Sequence, residues 1–145
     1  MTKQVLSIEQ MQHLQELGLD TSNASMVWGK YEGEEEYSHL LPRDENVFER
    51  CLAAKYIPAY TLQNVLDALP KDISRDGCTW SASLYIDFES NRIAYGNTDR
   101  YGFEVYHEIM IEKDLIDAAY EMLCWCIENG YAKIGKEASD ERTDR

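Results

Sequence analysis

Three histidines are the side chains of this sequence best suited to acid–base chemistry: His13, His39 and His107. None of them stands at a metal-ligand spacing from another histidine or a cysteine. His107 is the most informative, because it lies between Val105 and Ile109 in an alternating stretch, on the side predicted to be apolar. A buried imidazole needs partners for both ring nitrogens, and such partners can also make it a catalytic base. We expect a structural histidine, with an enzyme site near His107 as the alternative.

The short motifs that mark common catalytic and cofactor sites do not occur. The sequence has no phosphate loop, dinucleotide-binding glycine motif, zinc-protease helix, nucleophile elbow or calcium loop. The acidic run at 32–36 lacks the spacing of a calcium loop and is typical of a solvated hairpin tip. The cysteines show no C-x-x-C spacing and are predicted to be buried free thiols: Cys51, Cys78, Cys124 and Cys126. We therefore expect no metal, no cofactor and no enzymatic activity.

Tyrosines and acids alternate with apolar residues along two predicted strands. Their alternation places one polar set on the sheet face away from the helices, and this set is the candidate binding site: Ser83, Tyr85, Asp87, Glu104, Tyr106 and Glu108. Aromatic side chains on a sheet stack bases in RNA-binding domains, but those sheets also supply Lys and Arg. Here the neighbours are Asp and Glu, and aromatic residues are enriched at protein interfaces. The pattern favours a protein-binding face over an RNA-binding one, with ordinary cross-strand packing on a solvated face as the alternative to any binding role.

Composition narrows the class of partner. The chain has 145 residues and a formal net charge of −13, which disfavours nucleic acids and anionic membranes because both attract Lys and Arg. No apolar run reaches the 18 residues of a membrane span. The first residues lack the apolar core of a secretory signal. We expect a cytoplasmic protein with reduced thiols, no membrane association and no direct nucleic-acid binding.

The beginning of the chain predicts a helix followed by a hairpin. Ser7 and Gln10 have the spacing of a capping box, which starts a helix over 8–17. Strand-forming residues at 24–31 and 37–41 flank the acidic loop. Two such runs joined by a short polar loop indicate a β-hairpin.

A second helix is predicted between Pro58 and Pro70. Thr61 is suited to cap it, and apolar residues recur every three or four positions from Leu62. Proline then stops the helix. The preceding segment, 44–55, is predicted to be a weak helix or an ordered loop.

The second half of the chain predicts three strands and a long helix. Apolar residues alternate with polar ones over 80–88, 92–95 and 103–111, with turn residues between the runs. Phe103, Val105, His107, Ile109 and Ile111 are assigned to the helix-covered face, and Met110 with the intervening glutamates to the other. Asp114 is expected to cap a broad amphipathic helix reaching about Asn129.

Tight turns make neighbouring strands antiparallel. The fold class predicted is therefore α+β, an antiparallel sheet of three to five strands with helices packed on one face. No linker or internal repeat interrupts the chain. We expect a single domain over 1–134 and a disordered polar tail over 135–145.

Four segments resemble an uncharacterised family of small acidic proteins from gut-bacterial genomes, often associated with prophages and mobile elements. They are Leu6 to Met11, Asp20 to Met26, Ile57 to Gln63 and Leu115 to Asn129. The resemblance implies no activity. It favours an accessory or interaction role.

Three functional hypotheses follow. The first is a non-enzymatic accessory protein that acts through contact with another protein, or with a second copy of itself as a homodimer. The second is an acidic mimic of nucleic acid that inhibits a nucleic-acid-binding protein. The third is an enzyme that uses His107 with Glu104, Glu108 or a tyrosine.

Overall fold

The structure, a computed structural model, describes residues 3–30, 33–43, 56–74 and 80–132. Helices and strands alternate irregularly along these ranges. In chain order the elements are α1 (Ile8–Glu16), β1 (Met26–Gly29), β2 (His39–Pro42), β3 (Tyr56–Ala59), α2 (Leu62–Ala68), β4 (Asp72–Ser74), β5 (Ser81–Asp87), β6 (Arg92–Thr98), β7 (Glu104–Ile111) and α3 (Leu115–Glu128).

The predicted fold class is confirmed, because the described strands form two antiparallel sheets accompanied by helices. Two predictions fall outside the described residues: the weak helix or loop over 44–55 and the tail over 135–145. Cys51 and Cys78 lie outside them as well.

Helix α1 begins at the predicted capping box. The Gln10 amide donates to Ser7 Oγ at 3.1 Å, and the Ser7 amide donates to Gln10 Oε1 at 3.0 Å. Each bond satisfies an amide that the first helical turn leaves unpaired. Met11 and Leu14 are fully buried along the inner side of the helix.

The smaller sheet has the order β2-β1-β3. Strands β1 and β2 form the predicted hairpin, and β3 pairs with the other edge of β1. Strand β3 was not predicted, because Pro58 indicated only the approach to a helix. Proline donates no amide hydrogen bond, and an edge strand is where a sheet tolerates it.

Helix α2 is confirmed, with Thr61 as its cap. Its buried Asn64 also joins it to the segment that leads into β1. The Ser25 amide donates to Asn64 Oδ1 at 3.0 Å, and Asn64 Nδ2 donates to Ser25 Oγ at 3.0 Å. These bonds fix α2 against the smaller sheet.

The larger sheet has the order β4-β5-β6-β7, with all neighbours antiparallel. Strands β5, β6 and β7 are the three strands predicted from alternation. Strand β4 has only three residues, which is too short for alternation to reveal it. It adds an edge next to β5.

Helix α3 covers one face of the larger sheet. Its Met122, Leu123 and Cys126 share a buried core with Ile93 and Tyr95 of the central strand β6. Asp114 occupies the N-cap position, but the prediction that its side chain caps the helix is wrong. Its backbone carbonyl accepts the first helical hydrogen bonds, and its carboxylate is left near the positive end of the helix dipole.

Candidate functional site

The larger sheet turns its second face away from α3. Cross-strand pairing runs across β5, β6 and β7, and side chains in one row point to the same side of a sheet. The rows on this side are Ser83–Gly96–Tyr106, Tyr85–Ala94–Ile109 and Asp87–Arg92–Ile111, with Asp72 beside Ser83 and Glu104 beside Thr98. We call these residues the open face.

A β-bulge in β7 determines which residues reach the open face. Tyr95 pairs with Glu108, but the next residue, Gly96, pairs with Tyr106. His107 is therefore an extra residue with no partner on β6. Such an insertion shifts the alternation of side chains by one position beyond it.

Part of the predicted alternation is wrong because of the bulge. Ile109 and Ile111 were expected on the helix-covered face, and they lie on the open face instead. Glu108 and Met110 were expected to face outward, and they pair with the buried Tyr95 and Ile93. Strict period-two counting fails beyond His107.

Five of the six predicted site residues share the open face, and Glu108 does not. The open face also contains residues that were not predicted as site residues, namely Asp72, Arg92, Ile109 and Ile111. Gly96 was the available signal, because an isolated glycine inside a strand often marks a bulge.

Tyr106 lies at the centre of the contacts on this face. Its ring covers Gly96, where an added Cβ would meet Tyr106 Cδ1 at 2.7 Å. Tyr85 meets the same ring edge-on, with 6.4 Å between centroids. The Tyr106 hydroxyl donates to Glu104 Oε2, and this bond, with burial and the carboxylate charge, raises the pKa of Tyr106.

Asp87 and Arg92 occupy the end of the open face near the β5–β6 turn. The amides of Glu89 and Ser90 donate to Asp87 Oδ1 at 3.0 and 3.4 Å. Hydrogen bonds from Ser90 and Glu89, with a smaller effect of the Arg92 charge, lower the pKa of Asp87. Arg92 Nη2 lies 3.9 Å from Asp87 Oδ2. Asp87 thus stabilises the turn and is partly neutralised there.

Large apolar side chains remain in contact with solvent on the open face. Tyr85 is 45% exposed, Ile109 37% and Ile111 62%. Ala94, between the first two, is almost fully buried by its neighbours. We call Tyr85, Ala94, Ile109 and Ile111 the apolar strip, which runs across the strands and has carboxylates at its borders.

The surroundings of His107 differ from those that the predicted enzyme site requires, namely a buried ring with hydrogen-bond partners. Its ring is exposed and stacks on Trp80, with centroids 4.4 Å apart and an interplanar angle of 21°. The contact places His107 on the helix-covered side at the sheet edge, opposite the side of Glu104 and Tyr106. The predicted face of His107 is correct, and its ring is exposed because β7 is an edge strand.

The cysteines on α3 are free and buried, as predicted for Cys124 and Cys126. Burial raises the pKa of each thiol to about 11. Both therefore stay protonated near neutral pH, and a protonated thiol is a poor nucleophile.

The described ranges contain no metal-binding cluster and no helix that could span a membrane. No group of three or more His, Cys, Asp or Glu side chains in these ranges is arranged to hold a metal ion. In the hairpin loop, Glu34 contacts His39 Nε2 at 2.9 Å. The helices of the described ranges are too short or too polar to cross a membrane.

Comparison with known proteins identifies no relative. A scan against protein-family models finds no match, and searches of curated proteins and of solved structures find no significant match.

Proposed function

We propose that this chain is a non-enzymatic accessory protein that acts through protein–protein contact, and that the open face is its contact surface. The observation that carries the proposal is the exposure of Tyr85, Ile109 and Ile111 together on one side of the larger sheet. Contiguous apolar side chains on a surface are typical of interaction sites. Their burial by a partner would remove apolar surface from water, which favours association.

The face is better suited to contact than the edge of the same sheet. The larger sheet has two edge strands: β4 has only three residues, and β7 carries a bulge and the carboxylate of Glu108 on its helix-covered side. Bulges and inward-pointing charges are devices that discourage pairing with another strand. A partner is therefore expected to lie across the strands and not to extend the sheet.

The candidates for chemistry in the described residues support the same conclusion. The thiols of Cys124 and Cys126 are protonated and buried. His107 stacks on Trp80, away from the carboxylates of the open face. The resemblance to an uncharacterised family of small acidic proteins, often associated with mobile elements, favours the same class of role.

The test compares two variants of one strand. Ile109 lies on the open face and is 37% exposed, whereas Val105 lies on the other side of β7 and is 42% exposed. Tagged wild-type protein, Ile109→Ser and Val105→Ser are expressed in cells of the source organism, and proteins that copurify are quantified by mass spectrometry. Light scattering measures the mass of each free protein.

We expect at least one binding partner to be lost by Ile109→Ser and retained by Val105→Ser. Truncation of an interface anchor typically weakens binding about tenfold or more. A dimer that dissociates only in Ile109→Ser also supports contact through the face. Identical recovery from both variants, together with a monomeric wild type, would contradict the proposal.

A further inference from the structure

The charges around the apolar strip are unbalanced. Three carboxylates belong to the open face, those of Asp72, Asp87 and Glu104, against the single guanidinium of Arg92. Asp72 lies on β4 and Glu104 near the start of β7, so two of the three carboxylates border the strip from opposite edges of the sheet. A partner that covers the strip must meet them.

Arg92 neutralises only one end of the face. Its guanidinium is 3.9 Å from Asp87 Oδ2 and also lies over the Tyr106 ring, 5.6 Å from the centroid. These contacts account for its charge near the β5–β6 turn. Arg92 therefore balances Asp87, and among the described residues it forms no salt bridge with Asp72 or Glu104.

Asp72 and Glu104 accept hydrogen bonds from uncharged donors. Ser83 Oγ donates to Asp72 Oδ1 at 2.7 Å, and the Tyr106 hydroxyl donates to Glu104. Both donors are neutral, so they orient the carboxylates without compensating them. Within the described ranges, no salt bridge involves either acid.

A second copy of the chain does not complement this arrangement. In a two-fold dimer each face meets an identical face, so its excess of carboxylates would oppose the same excess. The whole chain adds repulsion, because each copy carries a formal net charge of −13. Screening over a Debye length of about 8 Å does not remove repulsion between groups in direct contact. The charge favours an occupant of the opposite sign.

We infer that the open face binds a cationic protein segment. Its apolar side chains would cover Tyr85, Ile109 and Ile111, and its Lys or Arg side chains would meet Asp72 and Glu104. Charge complementarity of this kind chooses the partner and speeds association. The inference depends on the proposed function, because it names the class of partner that the same surface takes.

The test uses two synthetic amphipathic peptides with identical apolar residues. One carries Lys and Arg at every polar position, and its twin carries Glu there. Each is titrated into the full-length, isotope-labelled protein while the methyl signals of Ile109 and Ile111 are followed by nuclear magnetic resonance. We expect the cationic peptide alone to shift these signals, with an affinity that falls as salt is added.

A charge-neutral variant tests the two acids directly. Asp72→Asn with Glu104→Gln preserves the side-chain shapes and hydrogen-bond acceptors, and we expect it to bind the cationic peptide about three- to tenfold more weakly. The control is Glu9→Gln with Glu16→Gln, which removes two exposed acids from α1. Equal shifts from both peptides, none from the cationic one, or unchanged affinity in the neutral variant would overturn the inference.

The two proposals can fail separately. The neutral variant is also used for copurification alongside Ile109→Ser. If a partner is lost by Ile109→Ser but retained in full by the neutral variant, the surface is correct and the cationic partner is wrong. If the partner captured through the face is a second copy, the inference also fails while contact through the face survives.

Discussion

The two faces of the larger sheet differ in what covers them, although the same three strands build both. On one side, Ile93 and Tyr95 are completely buried under α3. On the other, Ile109 and Ile111 face solvent beside Tyr85. The covered face contributes to folding, because its apolar surface leaves water when the chain folds. The open face holds apolar surface whose burial requires another molecule.

The largest expected difference is in the free energy of unfolding between alanine variants of one isoleucine on each face of the sheet. Ile93→Ala should destabilise the fold by about 2–5 kcal/mol, because it leaves a cavity under α3. Ile111→Ala, at a position 62% exposed, should change the free energy of unfolding by no more than about 0.5 kcal/mol. Urea denaturation of both variants measures the difference. Similar losses would mean that the open face is part of the core.

The close approach of Tyr106 to the central strand gives the next effect. In Gly96→Ala the added methyl would lie 2.7 Å from both the Tyr106 ring and the Val105 carbonyl oxygen. We expect a destabilisation of about 1–3 kcal/mol from this overpacking.

A double variant separates the clash of the added methyl with the Tyr106 ring from its clash with the Val105 carbonyl oxygen. Adding Tyr106→Ala removes the ring but leaves the carbonyl, so stability should not recover to that of Tyr106→Ala alone. Full recovery in denaturation experiments would show that the ring is the sole obstacle and that the bulged backbone adapts freely.

Helix α3 is also attached to the N-terminal segment through Asp117. Lys3 Nζ and Gln10 Nε2 donate to Asp117 Oδ1 at 2.7 and 2.9 Å. Burial opposes ionisation of Asp117, but these hydrogen bonds and the Lys3 charge outweigh it and leave its pKa below the usual value. Asp117→Asn should cost about 1 kcal/mol at neutral pH.

The sign of the pH dependence follows from the lowered pKa. A carboxylate with a depressed pKa in the folded state contributes stability above its unfolded pKa and loses it as pH falls through the folded one. The stability difference between wild type and Asp117→Asn should therefore shrink below about pH 4. A difference that stays constant as the pH falls from neutral through the acid range until the fold is lost would show that ionisation of Asp117 is irrelevant.

The smallest effect concerns the open face alone. Glu104→Gln removes the charge that helps to raise the pKa of Tyr106, so this pKa should move towards its ordinary value. Stability should change by less than about 0.5 kcal/mol. Ring signals assigned with Tyr106→Phe and followed through an alkaline titration measure the shift. Glu108→Gln, on the other face, serves as the control.

The sequence predicts elements wherever a local rule decides them. The cap of Ser7, the cap of Thr61 and the apolar stripe of α3 each depend on residues a few positions apart. Such signals survive folding because tertiary contacts reinforce them. The three alternating strands belong to the same class.

Features that depend on distant partners escape prediction. Strand β3 contains Pro58 and exists because β1 offers it an edge. The face of the side chain was predicted correctly for Tyr85, on β5, and for Tyr106, which precedes the bulge in β7, and incorrectly for Glu108, which follows it. A bulge depends on how two strands pair, so the sequence of one strand does not predict it.

The extra residue at position 107 has a consequence for how this chain accommodates changes in length. Tyr106 and Ile109 are separated by an odd number of positions, yet they share a face because His107 is absorbed without a partner. We therefore expect a chain lacking His107 to retain the remaining cross-strand pairs, with backbone amide exchange in β6 nearly unchanged. Loss of the codon for residue 107 would leave every strand paired with the same neighbours. Loss of a codon inside β5 would instead move the residues on one side of the deletion to the opposite face of the sheet.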